Sequence, residues 1–235
     1  MAAADWVLAA NSLDAPDVAH GPSAGFTPPG GGGTFIYGVN SLTNVVGTFA
    51  RYATPQSPNT NFNPMLSGGE ISAAVQRGTG GGTTGMAAFI FLGLQGTDVG
   101  DDCYMLGLAD GDPSHICLRK GSMSSGLPDV APGGPDGILR RSTISFVPGT
   151  WVHLKLEMVV NGNGDVVLNC QYSTAVSVAS PLWQAIPGIS GFIDDALGVN
   201  SGSLPFVSGR AGFGASVADS VRRCFFDQLV LAKQT

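Results

Sequence analysis

Charge is what this sequence has least of. Asp, Glu, Lys and Arg make up 12% of its 235 residues, about half the share found in ordinary globular domains. Only 11 residues are basic, and their close pairs are Arg119-Lys120, Arg140-Arg141 and Arg222-Arg223. With a net charge of −6 and no basic stripe to neutralise phosphates, nucleic acid is excluded as a partner. Long apolar runs are missing too, so no segment has the length of a membrane-spanning helix and no membrane partner is expected. The apolar start, Met1 to Leu13, has no basic leader and is broken by Asp5. It does not read as a signal peptide, and the expectation is folding in a cytoplasm. The four cysteines, Cys103, Cys117, Cys170 and Cys224, form no CxxC and no Cys/His cluster. Each falls within a predicted strand, where a reduced thiol behaves as a small apolar side chain; a bridge between neighbouring strands stays open.

What the chain has in quantity is glycine, at 35 residues, and apolar side chains, at 43%, with a mean hydropathy of +0.21. Two explanations stand: a surface rich in Gly, Ser and Thr on an ordinary β protein, or a surface that packs against other copies or other proteins.

The clearest local pattern runs from Trp151 to Tyr172. Val152, Leu154, Leu156, Met158 and Val160 alternate with His153, Lys155 and Glu157. A period of two puts these sets on opposite faces of a strand. Asn161-Gly162-Asn163-Gly164-Asp165 supplies residues that tolerate positive φ, as a hairpin turn requires. Val166, Leu168, Cys170 and Tyr172 then alternate on a returning strand.

Further strands are predicted over 4–13, 34–40, 44–52, 69–77, 86–95, 102–109, 115–120, 142–147, 210–218 and 222–232. Residues 14–33, containing Pro28-Pro29 and four consecutive glycines, read as an irregular Gly/Pro-rich loop or arm. Residues 55–64, 78–85 and 121–139 read as further loops, and 187–198 as a connection with a short helix. No amphipathic helix of three turns is present. About a dozen short strands at fairly regular spacing indicate a sandwich or barrel, here a single domain over residues 1–235.

The order of particular elements resembles the concanavalin A-like lectin/glucanase family, including laminin G-like domains. The resemblance rests on Gly149-Thr150-Trp151 opening a long strand, the glycine hairpin, Gly209-Arg210-Ala211-Gly212-Phe213-Gly214, and Phe226-Asp227 in the closing strand. It implies an all-β, two-sheet antiparallel jelly-roll sandwich with long Gly/Pro-rich loops. Three other runs resemble tailed-bacteriophage virion structural proteins carrying this sandwich: Cys103 to Leu108, Asp112 to Leu118, and Pro181 to Gly188.

Catalytic signatures are missing. Glycoside hydrolases of this fold place several acids on one strand face, where alternation brings acid and nucleophile together. Here Glu70, Glu157 and Asp227 stand singly, and Glu157 reads as a solvated or ion-paired residue. His20, His115 and His153 are far apart, no G-x-S-x-G occurs, and the glycine runs lack GK[ST]. The adjacent acids are Asp101-Asp102 and Asp194-Asp195; two carboxylates without further oxygen ligands make a weak case for a structural metal at Asp194 and Asp195, and helix capping or surface exposure is the favoured reading. No catalytic residue, cofactor or metal is therefore expected. Sugar binding needs an aromatic platform beside polar groups, and Trp183, between Pro181 and Pro187, is the loop residue placed for it, with core packing as its alternative. Trp6 and Trp151 open strands and read as core.

The expectation is a non-enzymatic structural component of a bacteriophage particle, a capsid decoration or tail-associated protein located in the virion. Its partners would be copies of itself and other virion proteins. The alternative is a lectin-like module for host-surface glycans.

Overall fold

The computed structural model describes residues 6–10, 18–21, 36–40, 49–55, 68–78, 86–96, 102–109, 113–122, 138–175, 181–217 and 223–233. They form fifteen strands: β1 (Trp6–Ala10), β2 (Val18–Gly21), β3 (Ile36–Asn40), β4 (Phe49–Pro55), β5 (Gly69–Arg77), β6 (Met86–Leu94), β7 (Asp102–Ala109), β8 (Ser114–Ser122), β9 (Ile138–Phe146), β10 (Trp151–Val160), β11 (Val166–Ser173), β12 (Gln184–Ala185), β13 (Phe192–Asp194), β14 (Arg210–Val217) and β15 (Arg223–Lys233). A seven-stranded sheet has the order β1-β4-β14-β6-β7-β8-β9. An eight-stranded sheet has the order β12-β11-β10-β5-β15-β3-β2, with β13 also paired to β11. The strand pairs are antiparallel, and sequence-distant strands lie side by side, as in a jelly roll.

The core lies between the sheets. Ile71, Ala73 and Val75 of β5, the even residues of β10 from Val152 to Met158, and Phe226 of β15 face Ala88, Ile90 and Leu92 of β6, Leu106 and Leu108 of β7, and Phe213 of β14. The rings of Phe213 and Phe226 meet at 4.8 Å with a 41° tilt, a favourable aromatic geometry that joins the sheets at their centre. The period of two read from the sequence therefore decides which side of each strand is dry. All four cysteines are buried free thiols, and burial raises the thiols of Cys103 and Cys170 well above their ordinary range.

The β10–β11 hairpin closes as its sequence requires. Asn161 Oδ1 accepts the amides of Asn163 and Asp165 at 2.9 and 3.0 Å, while Gly164 takes φ +86°.

Several expectations need correction. Val18–Gly21, inside the stretch read as irregular, forms β2 and pairs with β3; the three residues Val18, Ala19 and His20 contain no Pro or Gly and suffice for a short strand. The rest of 14–33 lies outside the described residues, as do most of the proposed loops at 55–64, 78–85 and 121–139. β9 begins at Ile138, within the span read as loop. No helix forms over 187–198. Gly188 and Gly191 take φ +75° and +78°, which break a helix, and Phe192, Ile193 and Asp194 alternate buried, exposed, buried as β13.

Candidate functional site

The connection from β11 to β14 crosses the open edge of the sandwich. Ile186 and Ile189 are buried in the core and Phe192 nearly so. The connection reaches the seven-stranded sheet where Gly209 meets Gly93. A Cβ on Gly209 would lie 2.3 Å from the Gly93 backbone, and Gly93 itself takes φ +72°. Only two glycines allow that approach.

Inside this connection Asp194 is fully buried and bonds to Lys120 Nζ at 2.7 Å. Lys120 donates further to Ser201 Oγ at 2.9 Å and to the carbonyls of Ser203 and Leu204, each at 2.8 Å. Its ammonium also lies 4.8 Å from the Phe206 ring centroid, a cation–π contact. Tyr104 donates to Asp194 Oδ2, and Ser201 donates to Oδ1. The Tyr104 hydroxyl in turn accepts the Phe206 amide at 2.9 Å. Burial, and secondarily the Asp194 carboxylate, push the Tyr104 phenol far up. The cage of carboxylate, hydroxyl and carbonyl oxygens is what a hard cation would take, and an ammonium of the chain fills it.

Asp195 faces the other way, as strand alternation dictates. It accepts the amides of Leu197 and Val199 at 3.1 Å each and of Asn200 at 2.7 Å, which hold its carboxyl below the usual range. Asp165 likewise accepts the Ala196 amide at 2.9 Å. The two adjacent acids thus serve separate networks and do not converge on one point.

The outer face of the eight-stranded sheet carries the second arrangement. β12 pairs with β11 so that Gln184 and Ala185 oppose Tyr172 and Gln171. This register puts the preceding Trp183 over buried, small Ser173, and its indole extends across β11 to β10. There it stacks on His153, with centroids 5.8 Å apart and 24° between planes, while Lys155 Nζ lies 4.9 Å from the ring centroid. His153 and Lys155 project from the same face of β10, so the indole meets both on the outer side of the sheet. Trp183 is half-buried, so it belongs neither to the core nor to bulk solvent.

Lys155, Gln171, Asn169, Glu157 and Glu70 continue the same face and are half-buried. Glu70 and Glu157 stand directly opposite each other across β5 and β10. Lys155 Nζ approaches Glu70 Oε2 at 3.6 Å, and Asn169 Nδ2 donates to Glu157 Oε2 at 2.9 Å. His153 is only 4% exposed, and neither ring nitrogen has a hydrogen-bond partner of ordinary geometry. Burial lowers its basicity, opposed weakly by the neighbouring Gln228 side chain. Gln228, at a bulge in β15, has φ +51°.

The remaining sequence candidates are scattered. His115 contacts the Ser142 carbonyl at 3.2 Å, and Asp102 opens β7 at an exposed position. Asp227 accepts the Gln228 amide at 2.8 Å, and burial raises its carboxyl. Trp151, expected in the core, is half-buried on the outer face opposite Gln76. The side chains of Trp6 and His20, and Asp101 altogether, lie outside the described residues.

No protein-family model matches the sequence, and no curated protein matches it. Solved structures do match in shape. Lectin II from Ulex europaeus is similar over 98% of this chain and 93% of its own, with TM-score 0.54 and 9% identity. The lectin from Bauhinia forficata in complex with GalNAc covers 100% of this chain and 94% of its own, with TM-score 0.53 and 8% identity. The alginate lyase from Aplysia kurodai covers 93% and 87%, with TM-score 0.51 and 12% identity. The fold is the concanavalin A-like jelly-roll sandwich.

Proposed function

We propose that this chain is a non-enzymatic, lectin-like carbohydrate-binding module, with the outer face of the eight-stranded sheet around Trp183 as its binding surface. The observation that carries this reading is the half-buried indole of Trp183, fixed on the outer face of the sheet by its contacts with His153 and Lys155. Such a face suits the apolar side of a sugar ring, while Lys155, Gln171 and Asn169 supply donors and acceptors for hydroxyls. The platform is pre-formed, which spares the cost of ordering it on binding. The fold agrees, since the Bauhinia forficata protein of the same architecture is a lectin in complex with GalNAc. A glycan array probed with the native protein and Trp183→Ala tests it. Binding to a defined glycan, weakened roughly tenfold or more in the variant, is expected; an array with no bound glycan refutes the reading.

A second reading is a packing role in an oligomeric assembly, for which the sequence resemblance suggests a virion. It is supported by Leu197, Val199 and Leu204, which are 82%, 78% and 68% exposed on the loop braced by Asp195 and Lys120. Apolar side chains on a fixed loop suit a protein partner. Sedimentation of the native protein with large particles supports this role, and recovery only as free monomer argues against it.

A further inference from the structure

Glu70 and Glu157 are a costly pair. They oppose each other on neighbouring strands, where like charges destabilise a sheet. Among the described residues the one cation beside them is Lys155, which stands 3.6 Å from Glu70, too far for a hydrogen bond, and is shared with the Trp183 ring at 4.9 Å. Among the described residues Glu157 has no ion-pair partner, only the neutral amide of Asn169. Two carboxylates and one ammonium leave this strip one negative charge in excess. No described residue within it compensates that charge.

The strip also has the other parts of a ligand site. Trp183 lies at one end, stacked on His153, which is 4% exposed. Glu157 is two residues beyond Lys155 on the same strand face, roughly 7 Å along the sheet. One sugar ring stacked on the indole leaves the next ring of a linked pair within reach of Glu157.

We propose that this strip recognises a short glycan containing a protonated amino sugar. The proposal rests on the carbohydrate-binding reading and names the class of sugar. One ring stacks on Trp183, its hydroxyls meeting Lys155 and Gln171. The ammonium of the adjoining ring donates to Glu157 and relieves its repulsion with Glu70. A charge-assisted hydrogen bond of this kind is stronger than a neutral one. The excess negative charge disfavours uronic and sulfated sugars for the same reason.

Isothermal titration with three tetrasaccharides tests the assignment: a fully deacetylated glucosamine tetramer, its N-acetylated counterpart, and cellotetraose. They are titrated into the native protein, Glu157→Gln and Trp183→Ala, at a pH where the amine is charged. The native protein is expected to bind the deacetylated tetramer about tenfold tighter than the other two. Glu157→Gln should reduce that ratio to near one without changing cellotetraose binding, and Trp183→Ala should weaken all three. Equal affinity for the three sugars, lost in Trp183→Ala, overturns the amino-sugar assignment and leaves the carbohydrate-binding reading intact. Failure of all three to bind overturns the assignment, and the glycan array then decides the broader reading. A lysine-rich peptide that binds the native protein but not Glu157→Gln, and binds Trp183→Ala unchanged, also overturns it, since the strip would then read cationic charge alone.

Discussion

The Lys120 ammonium and the Asp194 carboxylate meet at 2.7 Å with 3% and 0% of their side chains exposed. The pair ties β8, in the seven-stranded sheet, to the connection that closes the sandwich edge. Lys120→Met leaves the carboxylate buried without its cation and should lower unfolding stability by about 3–5 kcal/mol. Lys120→Met/Asp194→Asn should recover much of that loss, because Tyr104 and Ser201 remain as partners. Guanidinium denaturation of both variants decides it; equal loss in the single and double variants contradicts the account.

The His153 imidazole gives a pH dependence of known sign. Burial sets its folded pKa below the ordinary value of 6.5. On acidification the unfolded chain therefore takes up the proton first, and stability falls as pH drops below about 6.5 toward the folded value. Above that range this group imposes no loss. Denaturation midpoints at about pH 8 and about pH 5.5 should differ in the native protein, with a smaller difference in His153→Gln. An unchanged difference would show that other groups control the slope.

Gly107 of β7 is fixed by packing alone. A Cβ there would lie 2.2 Å from the Ala88 carbonyl oxygen and 2.5 Å from Phe89 Cβ, and β6 has no room to retreat from a neighbour it pairs with directly. Gly107→Ala should cost about 1–3 kcal/mol or more, as overpacking does. A thermal melt indistinguishable from the native one would contradict the close approach of the two strands.

Asp195 organises a loop, and its loss should be local. In Asp195→Ala the amides of Leu197, Val199 and Asn200 lose their acceptor, so their hydrogen exchange should accelerate while that of β10 stays unchanged. The depressed carboxyl also means these bonds persist above pH 3.8 and fail as pH falls through the folded value. Exchange that accelerates across both sheets would instead assign Asp195 a global role.

Much of the architecture is legible locally. The Val152–Met158 alternation and the Asn161–Asp165 turn specify β10, β11 and their joint, since period and turn chemistry are properties of adjacent residues. β12 and β13 escape notice because two or three residues carry no period; their pairing with β11 holds them. Lys120 does leave a signal, sharing the inward parity of Ile116 and Leu118, where a charge requires a buried partner. Its partner Asp194 lies far along the chain and is set by the fold. The Glu70–Glu157 opposition has no sequence signature, because the register of β5 against β10 arises only when distant strands pair. Trp183 was legible as an aromatic in a Pro-bounded loop. That it lies on His153 and Lys155 depends on β12 joining the sheet.

The central claim is that ligand meets the outer face of the eight-stranded sheet. Amide and indole chemical-shift mapping during titration with an oligosaccharide selected by the array tests it most directly. The account predicts shifts at the Trp183 indole and at Lys155, Glu157, Asn169 and Gln171, with the Leu197–Leu204 loop silent. Shifts centred on that loop, or on the seven-stranded sheet, would contradict it.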